Sequence, residues 1–426
     1  MNTPSDRRPR VHVVARRLWP QAGGDTAHAT RRHISELTEA GFHVSVSTPR
    51  YKGGGESMTV ADVMVHRPIA RPRNDWAARR YVKIWSRWLV DQAAGCDVLL
   101  AIGAREEAAA MVSAARHLGL PSVVRVIGGG AECDLAAWNR WTKLRRCVTL
   151  LRNADALLVN DRVIHKELLL RGFADDSCIR LPLIGHHAID HDPALRKATR
   201  QALATANSDL RTDADTPVAL CCAAMVRGGR IDSLAAAWMP VHAAHPAARL
   251  WILGDGTGRD RLHNRLRADG TRVSVAVPGT FVDIRDVLPA ADVFIHLEDS
   301  PAVGHLAEAI HFPVRLVVLD TSRNREFLEV HPANPIDASR VVYCGATPPS
   351  IKRAIRESFQ AGKWGLPDTP KSRGSQARPP VSPEQSRAVS LPDVLRRMIG
   401  TFAPRTTSPK SSGPSPNHVT HDRVPS

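Results

Sequence analysis

Short apolar runs rich in β-branched residues alternate with amphipathic segments along most of this 426-residue chain, and that alternation limits the possible folds more than any other feature. In the first unit, residues 11–15 predict a strand, residues 26–40 a helix and residues 42–48 a second strand. Gly41 stands where a glycine commonly ends a helix. A strand, a helix and a strand in this order predict parallel strands joined by a crossover helix, and therefore an α/β fold.

The pattern continues in two successive cycles. The first adds strands at 97–102, 122–126 and 154–160 and helices at 106–118 and 163–171. The second has helices at 194–206, 233–244 and 259–268 and strands at 217–226, 249–253, 272–277, 292–297 and 315–319. Two cycles of similar size predict two doubly wound, Rossmann-like domains that face each other across a cleft, with ligands at the carboxyl ends of the strands.

Three segments follow from this organisation. We place an N-terminal domain at residues 1–190 and a C-terminal domain at residues 191–365. In the tail, residues 366–426, Pro, Ser, Thr and Arg dominate and apolar periodicity is lost except at residues 391–402. Such a composition buries little apolar surface, so we expect a largely disordered tail with room for one short helix.

The net charge of the chain limits its binding partners, and its cysteine content indicates the cellular compartment. Lys and Arg outnumber Asp and Glu by 58 to 42, which gives a formal net charge of +16. This sign favours anionic partners, namely phosphorylated ligands, nucleic acid or an acidic membrane face, and does not choose among them. The seven cysteines form no C-x-x-C motif, so neither a disulfide framework nor a structural zinc site is indicated. We therefore expect a cytoplasmic protein.

No segment predicts a signal peptide or a membrane-spanning helix. The N-terminus is polar and basic, and the apolar stretch at residues 11–15 is far too short for a signal-peptide core. The longest apolar run, residues 217–226, has about half the length that a spanning helix needs. We expect a protein that does not cross a membrane but is able to contact its surface.

Several short patterns occur along the chain in a fixed order. Gly23 and Gly24 separate the first strand from its helix, and Gly254 and Gly256 follow a later strand in the same way. Glu308 lies in an otherwise apolar, small-residue helical segment. The other patterns are the R-N-A-D-A-L-L-V-N-D segment at 152–161, the loop at 185–193, Arg259 with Leu262, Gly279 with Asp283, A-D-V-F-I at 291–295 and N-R-E-F-L at 324–328.

Taken in order, these patterns resemble the large retaining family of GT-B glycosyltransferases, often called family 4 or group 1. The likeness extends over roughly residues 11 to 360. It implies two Rossmann-like domains, of which the N-terminal one binds the acceptor and the C-terminal one the nucleotide-sugar. It also implies transfer of a sugar to a hydroxyl with retention of anomeric configuration, in polysaccharide or glycolipid synthesis, without a cofactor other than the donor substrate.

Elementary chemistry agrees with a nucleotide-sugar site. Glycine loops let backbone N–H groups approach a diphosphate closely, and helix N-termini add a favourable dipole. Gly23, Gly24, Gly254 and Gly256 are therefore candidate donor contacts, the alternative being that they only form tight turns. The resemblance implies that Glu308 hydrogen-bonds the ribose hydroxyls, and the alternative is a glutamate on the exposed face of a helix.

The chain departs from the family pattern around the donor sugar. The family usually has a glutamate eight positions before Glu308; this chain has Ser300 there, which we take as a candidate donor contact. Glu298 lies two residues earlier and would substitute if the loop shifts. The family also has a histidine in the N-terminal domain, near Ile127 of this chain, where Arg125 and a run of glycines occur instead.

A further departure concerns the charge that neutralises the diphosphate. The family has an Arg and a Lys after the first strand of the C-terminal domain, at positions that correspond to Ala224 and Gly229 here. Arg227 and Arg230 lie close by, and a guanidinium suits bidentate contact with phosphate. We take Arg227, Arg230 and Glu298 as catalytic candidates, and solvated arginines are the alternative.

Other functions stay open. The chain could be a noncatalytic GT-B relative that binds a nucleotide-sugar or a partner, a sugar-nucleotide epimerase, or a basic adaptor. The histidine- and aspartate-rich segment at 186–192 contains metal-binding side chains, but it lies in the predicted interdomain loop, and we expect no metal site. No recognisable nucleic-acid module occurs, so no specific nucleic-acid partner is expected.

Residues 75–92 predict a basic amphipathic helix, and residues 138–152 are similar in character. One side of the helix predicted at residues 75–92 is apolar, with Tyr81, Ile84, Trp85, Trp88 and Leu89. The other side is basic, with Arg79, Arg80, Lys83 and Arg87. This combination suits an anionic membrane interface, which would fit a sugar or lipid-linked acceptor and a peripheral position at the inner face of a membrane. The alternative is that the apolar side packs on the sheet and the basic side is solvated.

Overall fold

The computed structural model describes residues 7–18, 25–51, 55–60, 62–72, 75–128, 133–140, 142–181, 192–226, 229–281, 283–299, 301, 304–330, 336–360 and 390–402. Within these ranges the chain forms two separate sheets, one from the N-terminal half and one from the C-terminal half. Apolar clusters lie on both faces of each sheet, as the burial of parallel strands requires.

The first sheet has eight strands in the spatial order β3-β4-β2-β1-β5-β6-β7-β8. They are β1 (Arg10–Ala15), β2 (His43–Ser47), β3 (Ser57–Val60), β4 (Val63–His66), β5 (Val98–Ile102), β6 (Ser122–Arg125), β7 (Ala156–Val159) and β8 (Cys178–Arg180). Neighbouring strands are parallel except β3 and β4, which form an antiparallel hairpin at one edge. The order of the strands reverses at β1, between β2 and β5.

Helices cover both faces of this sheet. They are α1 (Asp25–Glu39), α2 (Asp75–Gln92), α3 (Glu106–Leu118), α4 (Asp134–Arg140), α5 (Thr142–Leu151) and α6 (Arg162–Leu170). Successive strand residues point to opposite faces, so Val13 and Leu100 join the apolar cluster that contains Leu37 of α1. Val14 and Leu99 join the opposite cluster with residues of α2, α3 and α5.

The second sheet has six parallel strands in the order β11-β10-β9-β12-β13-β14. They are β9 (Val218–Cys222), β10 (Arg249–Leu253), β11 (Val275–Gly279), β12 (Val293–His296), β13 (Arg315–Leu319) and β14 (Val341–Cys344). The helices are α7 (Pro193–Ala206), α8 (Ile231–Ala244), α9 (Arg259–Ala268), α10 (His305–Ala309), α11 (Ser322–Val330) and α12 (Pro348–Gln360). Here the strand order reverses at β9.

One aspartate clamps each sheet at its amino edge. Asp155, just before β7, accepts hydrogen bonds from the backbone N–H and the hydroxyl of Ser122 at 2.9 and 2.7 Å. Asp292, just before β12, accepts a bond from Val218 N–H at 2.8 Å and pairs with Arg196 of α7 at 2.7 Å. The two A-D motifs of the sequence therefore do the same structural task in both halves, because each ties the start of one strand to its neighbour.

The sequence-based prediction of an α/β fold with parallel sheets is confirmed. The predicted boundaries at residues 190/191 and 365/366 lie outside the described residues and stay predictions. The strand predicted at 272–277 is shifted: residues 272–274 form a turn and the strand begins at Val275. The segment predicted as helical at 138–152 is divided between α4 and α5.

Short strands at the sheet edges were missed. The β3–β4 hairpin has four residues in each strand, and its turn contains Asp62 with φ 63°. Strands this short lack the alternating pattern by which sequence analysis detects a strand, since pairing with the sheet stabilises them. The edge strands β8 and β14 are of the same kind.

The apolar side of α2 packs inside the protein. Tyr81, Trp85 and Leu89 are buried in the cluster beneath the helix, and Tyr81 and Trp85 contact each other edge to face. Ile84 remains 37% exposed. Of the two interpretations of this helix, packing of the stripe on the sheet is the one observed.

A helix from the C-terminal tail docks on the first sheet. This helix, α13 (Leu391–Thr401), buries Leu391, Val394 and Leu395 in the apolar cluster that also contains Val13 and Leu37. Its first N–H donates to the Glu36 carboxylate at 3.2 Å. The short helix expected near residues 391–402 is therefore present, and the rest of the predicted disordered tail lies outside the described residues.

Loss of buried contacts in α13 should destabilise the N-terminal half. Leu395→Ala removes a fully buried side chain, and such truncations cost about 2–4 kcal/mol of unfolding free energy. Arg397→Ala on the exposed side of the same helix should change the free energy of unfolding by less than about 0.5 kcal/mol. Urea unfolding of both variants measures the difference. Equal stabilities would show that α13 is not docked in solution.

Candidate functional site

The crevice of the second sheet lies where its strand order reverses. β9 stands between β10 and β12, so the loops after β9 and β12 run to opposite faces and leave a gap at the carboxyl ends of these strands. Arg230 ends the loop after β9, and Glu298 and Asp299 follow β12. The fold thus brings together two of the predicted site residues, Arg230 and Glu298, from positions far apart in the chain.

These three charges interact. The guanidinium of Arg230 forms an ion pair with Asp299, and both side chains remain partly exposed. Burial raises the pKa of Glu298; the positive charge of Arg230 opposes this shift and the negative charge of Asp299 adds to it. A partly exposed arginine between two carboxylates is able to exchange a carboxylate for the oxygens of an incoming phosphate.

A buried asparagine holds the backbone of this acidic loop. Asn324 of α11 is fully buried, and its side-chain N–H₂ donates to the carbonyl oxygens of Glu298 and Leu319, each at 2.9 Å. The Thr321 hydroxyl donates to the carbonyl of Asp299 at 2.9 Å. The segment 324–328 therefore has a local task that sequence analysis did not identify: it fixes the loop that carries Glu298.

Gly254 and Gly256 allow two loops of the second sheet to touch. Both have positive φ, at 144° and 152°. A Cβ on Gly254 would lie 1.9 Å from the Ala223 carbonyl oxygen, and one on Gly256 would lie 2.4 Å from that of Met225. The Gly254 N–H already donates to the Gly279 carbonyl at 2.8 Å, so this amide is not available to a phosphate. Both glycines therefore serve the packing of two loops, and a donor contact by Gly254 or Gly256 stays a prediction.

Glu308 is buried rather than exposed. It lies on α10 with 7% of its surface accessible, so the alternative of an exposed helix glutamate is wrong. Its Oε1 is 3.2 Å from Nη1 of Arg32, which belongs to α1 of the N-terminal half. The carboxylate that the family resemblance assigns to ribose binding thus lies at the contact between the two halves.

Two further sets of ion pairs join the halves near the same cleft. Asp161, which caps α6, is 3.2 Å from Nη2 of Arg323 on α11, and both side chains are mostly buried. On the next turn of α11, Glu326 pairs with Arg180 at 3.3 Å and with Arg162 at 3.7 Å. Helix α11 therefore contacts the acidic loop with one side and the N-terminal half with another.

The N-terminal sheet has its own charged group at the carboxyl edge. Arg16 follows β1 and pairs with Glu106 and Glu107 of α3 at 3.1 and 3.4 Å. The Tyr81 hydroxyl donates to Glu107 at 3.0 Å, and burial raises the pKa of Glu107. Sequence analysis overlooked this group, although two acidic residues at a helix start directly after a buried strand are a visible signal.

Two other buried charges shape this edge. Asp134 accepts bonds from the N–H groups of Ala104 and Ile127 at 2.7 and 2.9 Å and so joins the loops after β5 and β6. Arg125, at the end of β6, is buried and donates to the Leu181 carbonyl at 3.1 Å; burial lowers its pKa to about 10. Arg125 therefore holds the chain where it leaves the first sheet.

Several predicted site residues lie outside the described ranges. These are Gly23, Gly24, Arg227 and Ser300, for which the predictions stand as made. The described residues contain no group of three or more His, Cys, Asp or Glu side chains arranged to hold a metal ion, and most of the segment 186–192 is not among them. None of the described helices combines the length and the apolar character needed to span a bilayer.

Comparison with known proteins agrees with this geometry. Residues 24–183 match the family model of the glycosyl transferase 4-like domain. HepE of Anabaena, solved with UDP and glucose, superposes with a TM-score of 0.58 at 14% identity, over 84% of this chain and 91% of that one. WaaG, a glycosyltransferase involved in lipopolysaccharide biosynthesis, gives 0.60 at 14% identity over 82% and 90%.

Two further comparisons define the limits of the likeness. A putative UDP-N-acetylglucosamine 2-epimerase from Listeria monocytogenes superposes with a TM-score of 0.50 at 12% identity, over 83% of this chain and 88% of that one. At such identities the structural likeness shows the fold alone. A search of curated proteins by sequence returned no match.

The fold is that of the GT-B glycosyltransferases, with two doubly wound halves and charged loops at the carboxyl edges of both sheets. Residues 24–183 are similar to the glycosyl transferase 4-like domain, and the predicted resemblance to group 1 glycosyltransferases is confirmed.

The contact between the loops after β9 and β10 should not tolerate a side chain at Gly254. Gly254→Ala places a methyl group against a backbone oxygen at positive φ and should cost about 3–5 kcal/mol of unfolding free energy. Gly270→Ala also has positive φ but meets no atom within 4 Å, so it should cost only about 1–2 kcal/mol. Denaturant unfolding compares the two. A Gly254 variant as stable as the Gly270 variant would contradict the close approach.

Proposed function

We propose that the protein transfers a sugar from a nucleotide-sugar to a hydroxyl acceptor with retention of anomeric configuration. The C–O bond between the sugar and the diphosphate breaks and a bond to the acceptor oxygen forms on the same face of the sugar. The leaving diphosphate takes the acceptor proton, so the protein needs no separate general base. It has to stabilise the developing diphosphate charge and hold the acceptor in place. No cofactor beyond the donor substrate is required.

The observation that most favours this proposal is the charged cluster at the switch point of the second sheet. Arg230 lies beside Glu298 and Asp299 at the carboxyl ends of β9 and β12, in a fold where such crevices bind ligands. HepE, which has the same fold, was solved with UDP-glucose. We assign Arg230 to the diphosphate, together with Arg227, and Glu298 to a hydroxyl of the donor sugar.

Product analysis with UDP-, GDP- and ADP-sugars tests the proposal and separates it from its rivals. A glycoside whose anomeric configuration equals that of the donor, read by NMR immediately after reaction, supports retaining transfer. Inversion at a ring carbon of an intact nucleotide-sugar would show an epimerase. Nucleotide-sugar binding with neither transfer nor hydrolysis, across acceptors that include lipid-linked sugars, would favour a noncatalytic relative.

Arg230→Ala should weaken binding of UDP by about tenfold and leave uridine binding unchanged, because only UDP has phosphates to lose. Arg272→Ala is the matched control, since Arg272 is also 34% exposed and also ion-paired, with Asp209, but lies at the amino edge of the sheet. Calorimetry of both ligands measures the effect. Equal losses for UDP and uridine would indicate a distorted loop, and no loss would exclude Arg230 from the diphosphate site.

We propose further that the enzyme works in the cytoplasm at the inner face of a membrane, in synthesis of a polysaccharide or glycolipid. With the apolar stripe of α2 packed inside, its basic residues are exposed, as are Arg145 and Arg146 of α5. The exposed basic residues of α2 are Arg79, Arg80, Lys83 and Arg87. Helices α2 and α5 contact each other, so both sets lie on one side of the N-terminal half and match an anionic surface in charge.

Replacing Arg79, Arg80 and Lys83 with Gln should weaken binding to phosphatidylglycerol-containing vesicles by about 100-fold, taking about 1 kcal/mol for each charge. A variant with Arg261, Arg265 and Arg267 of α9 replaced by Gln loses the same charge from the other half and should bind as the unmodified protein does. Vesicle co-sedimentation measures both. Stronger binding to an oligonucleotide than to vesicles would instead favour a nucleic-acid adaptor.

A further inference from the structure

Helix α1 of the N-terminal half reaches across the cleft to the helix that contains Glu308. His28 and Arg32 are four residues apart on α1 and therefore share one face of the helix. The ring of His28 meets that of His305 edge to face, with centroids 4.5 Å apart. One turn further along, Arg32 Nη1 is 3.2 Å from Glu308 Oε1. Two contacts about one helical turn apart therefore join α1 and α10, His28 with His305 and Arg32 with Glu308.

Gly304 makes room for this arginine. It precedes α10 with φ 90°, a conformation that favours glycine. A Cβ at this position would lie 2.6 Å from Arg32 Nη1, closer than real contacts allow. The guanidinium of Arg32 therefore packs directly against the backbone at the start of α10, where a glycine leaves space for it.

The ion pair is more enclosed than an ordinary surface pair. The side chains of Arg32 and Glu308 are 22% and 9% exposed. A carboxylate in such a place requires a partner, and its orientation depends on that partner more than it would in water. Burial lowers the pKa of the neighbouring His305 well below its usual value, with His28 and His296 adding to the shift, so the adjoining ring is neutral.

We propose that Arg32 is a positioning residue for donor recognition: it holds the Glu308 carboxylate in the orientation that accepts a ribose hydroxyl of the nucleotide. The N-terminal half would thereby complete a ribose site whose ligand belongs to the C-terminal half. A carboxylate has about four lone-pair positions, which suffice for a guanidinium and a hydroxyl together. This inference rests on the proposed function, since it takes Glu308 as the ribose ligand.

Ribose discrimination is the measurement that isolates this role. For each analogue, 2′-deoxy-UDP or 3′-deoxy-UDP, the dissociation constant is divided by that of UDP. This ratio reports only the contact to the missing hydroxyl. We expect the unmodified protein to prefer UDP to at least one deoxy analogue by about tenfold, a preference nearly abolished in Glu308→Gln. Arg32→Gln should reduce the same ratio at least threefold, while Arg32→Lys, which keeps a charge, should retain part of it.

A second cross-cleft ion pair provides the matched control. Arg323→Gln breaks the pair with Asp161, which also joins the two halves at 3.2 Å, but Arg323 does not pair with Glu308. If Arg32 acted only by holding the halves together, both variants would lower UDP affinity with an unchanged ratio. We expect the ratio to fall in Arg32→Gln and to stay as in the unmodified protein in Arg323→Gln. Thermal melting of each variant confirms that it is folded.

The outcomes separate the two proposals. A ratio lost in Glu308→Gln but kept in Arg32→Gln would overturn the positioning role and leave the ribose site intact. Tighter UDP binding with a higher ratio in Arg32→Gln would also overturn it, since Arg32 would then compete with the ribose for Glu308. No discrimination in the unmodified protein, or none removed by Glu308→Gln, would overturn the ribose assignment and with it this inference.

Discussion

Parallel pairing of strands is the constraint on which the rest of this structure depends. Because every described strand except β3 runs the same way as its neighbours, the carboxyl ends of the strands lie at one edge of each sheet, and the loops there converge on a crevice. Arg230 meets Glu298 and Asp299 at such an edge in the second sheet, although Arg230 and Asp299 are 69 positions apart in the chain. At the corresponding edge of the first sheet Arg16 pairs with Glu106, and Asp134 joins the loops after β5 and β6. Because both faces of each sheet are covered, the side chains in the middle of the strands contribute to the stability of the fold.

Enclosed charges then fix the loops that this topology brings together. Asp155 and Asp292 tie strand starts to their neighbours, and Asn324 ties the acidic loop to the end of β13. A polar group that is buried without a partner costs roughly 1–3 kcal/mol, so each of these side chains specifies one arrangement of its loop. The same logic applies between the halves, where Asp161 with Arg323 and Glu308 with Arg32 form the least exposed pairs across the cleft. Recognition of a donor would therefore involve side chains of both halves.

Much of the fold could be predicted from periodicity, and the errors have physical causes. Central elements such as β9 and α3 have the patterns that a buried strand or an amphipathic helix requires, and they were found, although β9 ends at Cys222 and not at residue 226 as predicted. The β3–β4 hairpin and the edge strands were missed because their few residues form strands only when a sheet is already present. In the site, Glu298 and Glu308 were selected by family likeness. The acidic pair at the start of α3 was visible in the sequence, but its pairing with Arg16 was not, because Arg16 and Glu106 are 90 positions apart.

The amino-acid sequence by itself determined the class of fold, the two successive α/β halves and the short motifs that resemble group 1 glycosyltransferases, because all of these depend on neighbours along the chain. Only the tertiary structure decided what the motif residues contact. It placed Gly254 in the contact between two loops, since a backbone oxygen lies where a Cβ would be. It turned the apolar stripe of α2 inward and buried Glu308 against Arg32. Such contacts join residues that are distant in sequence, and no local pattern encodes the distance between them.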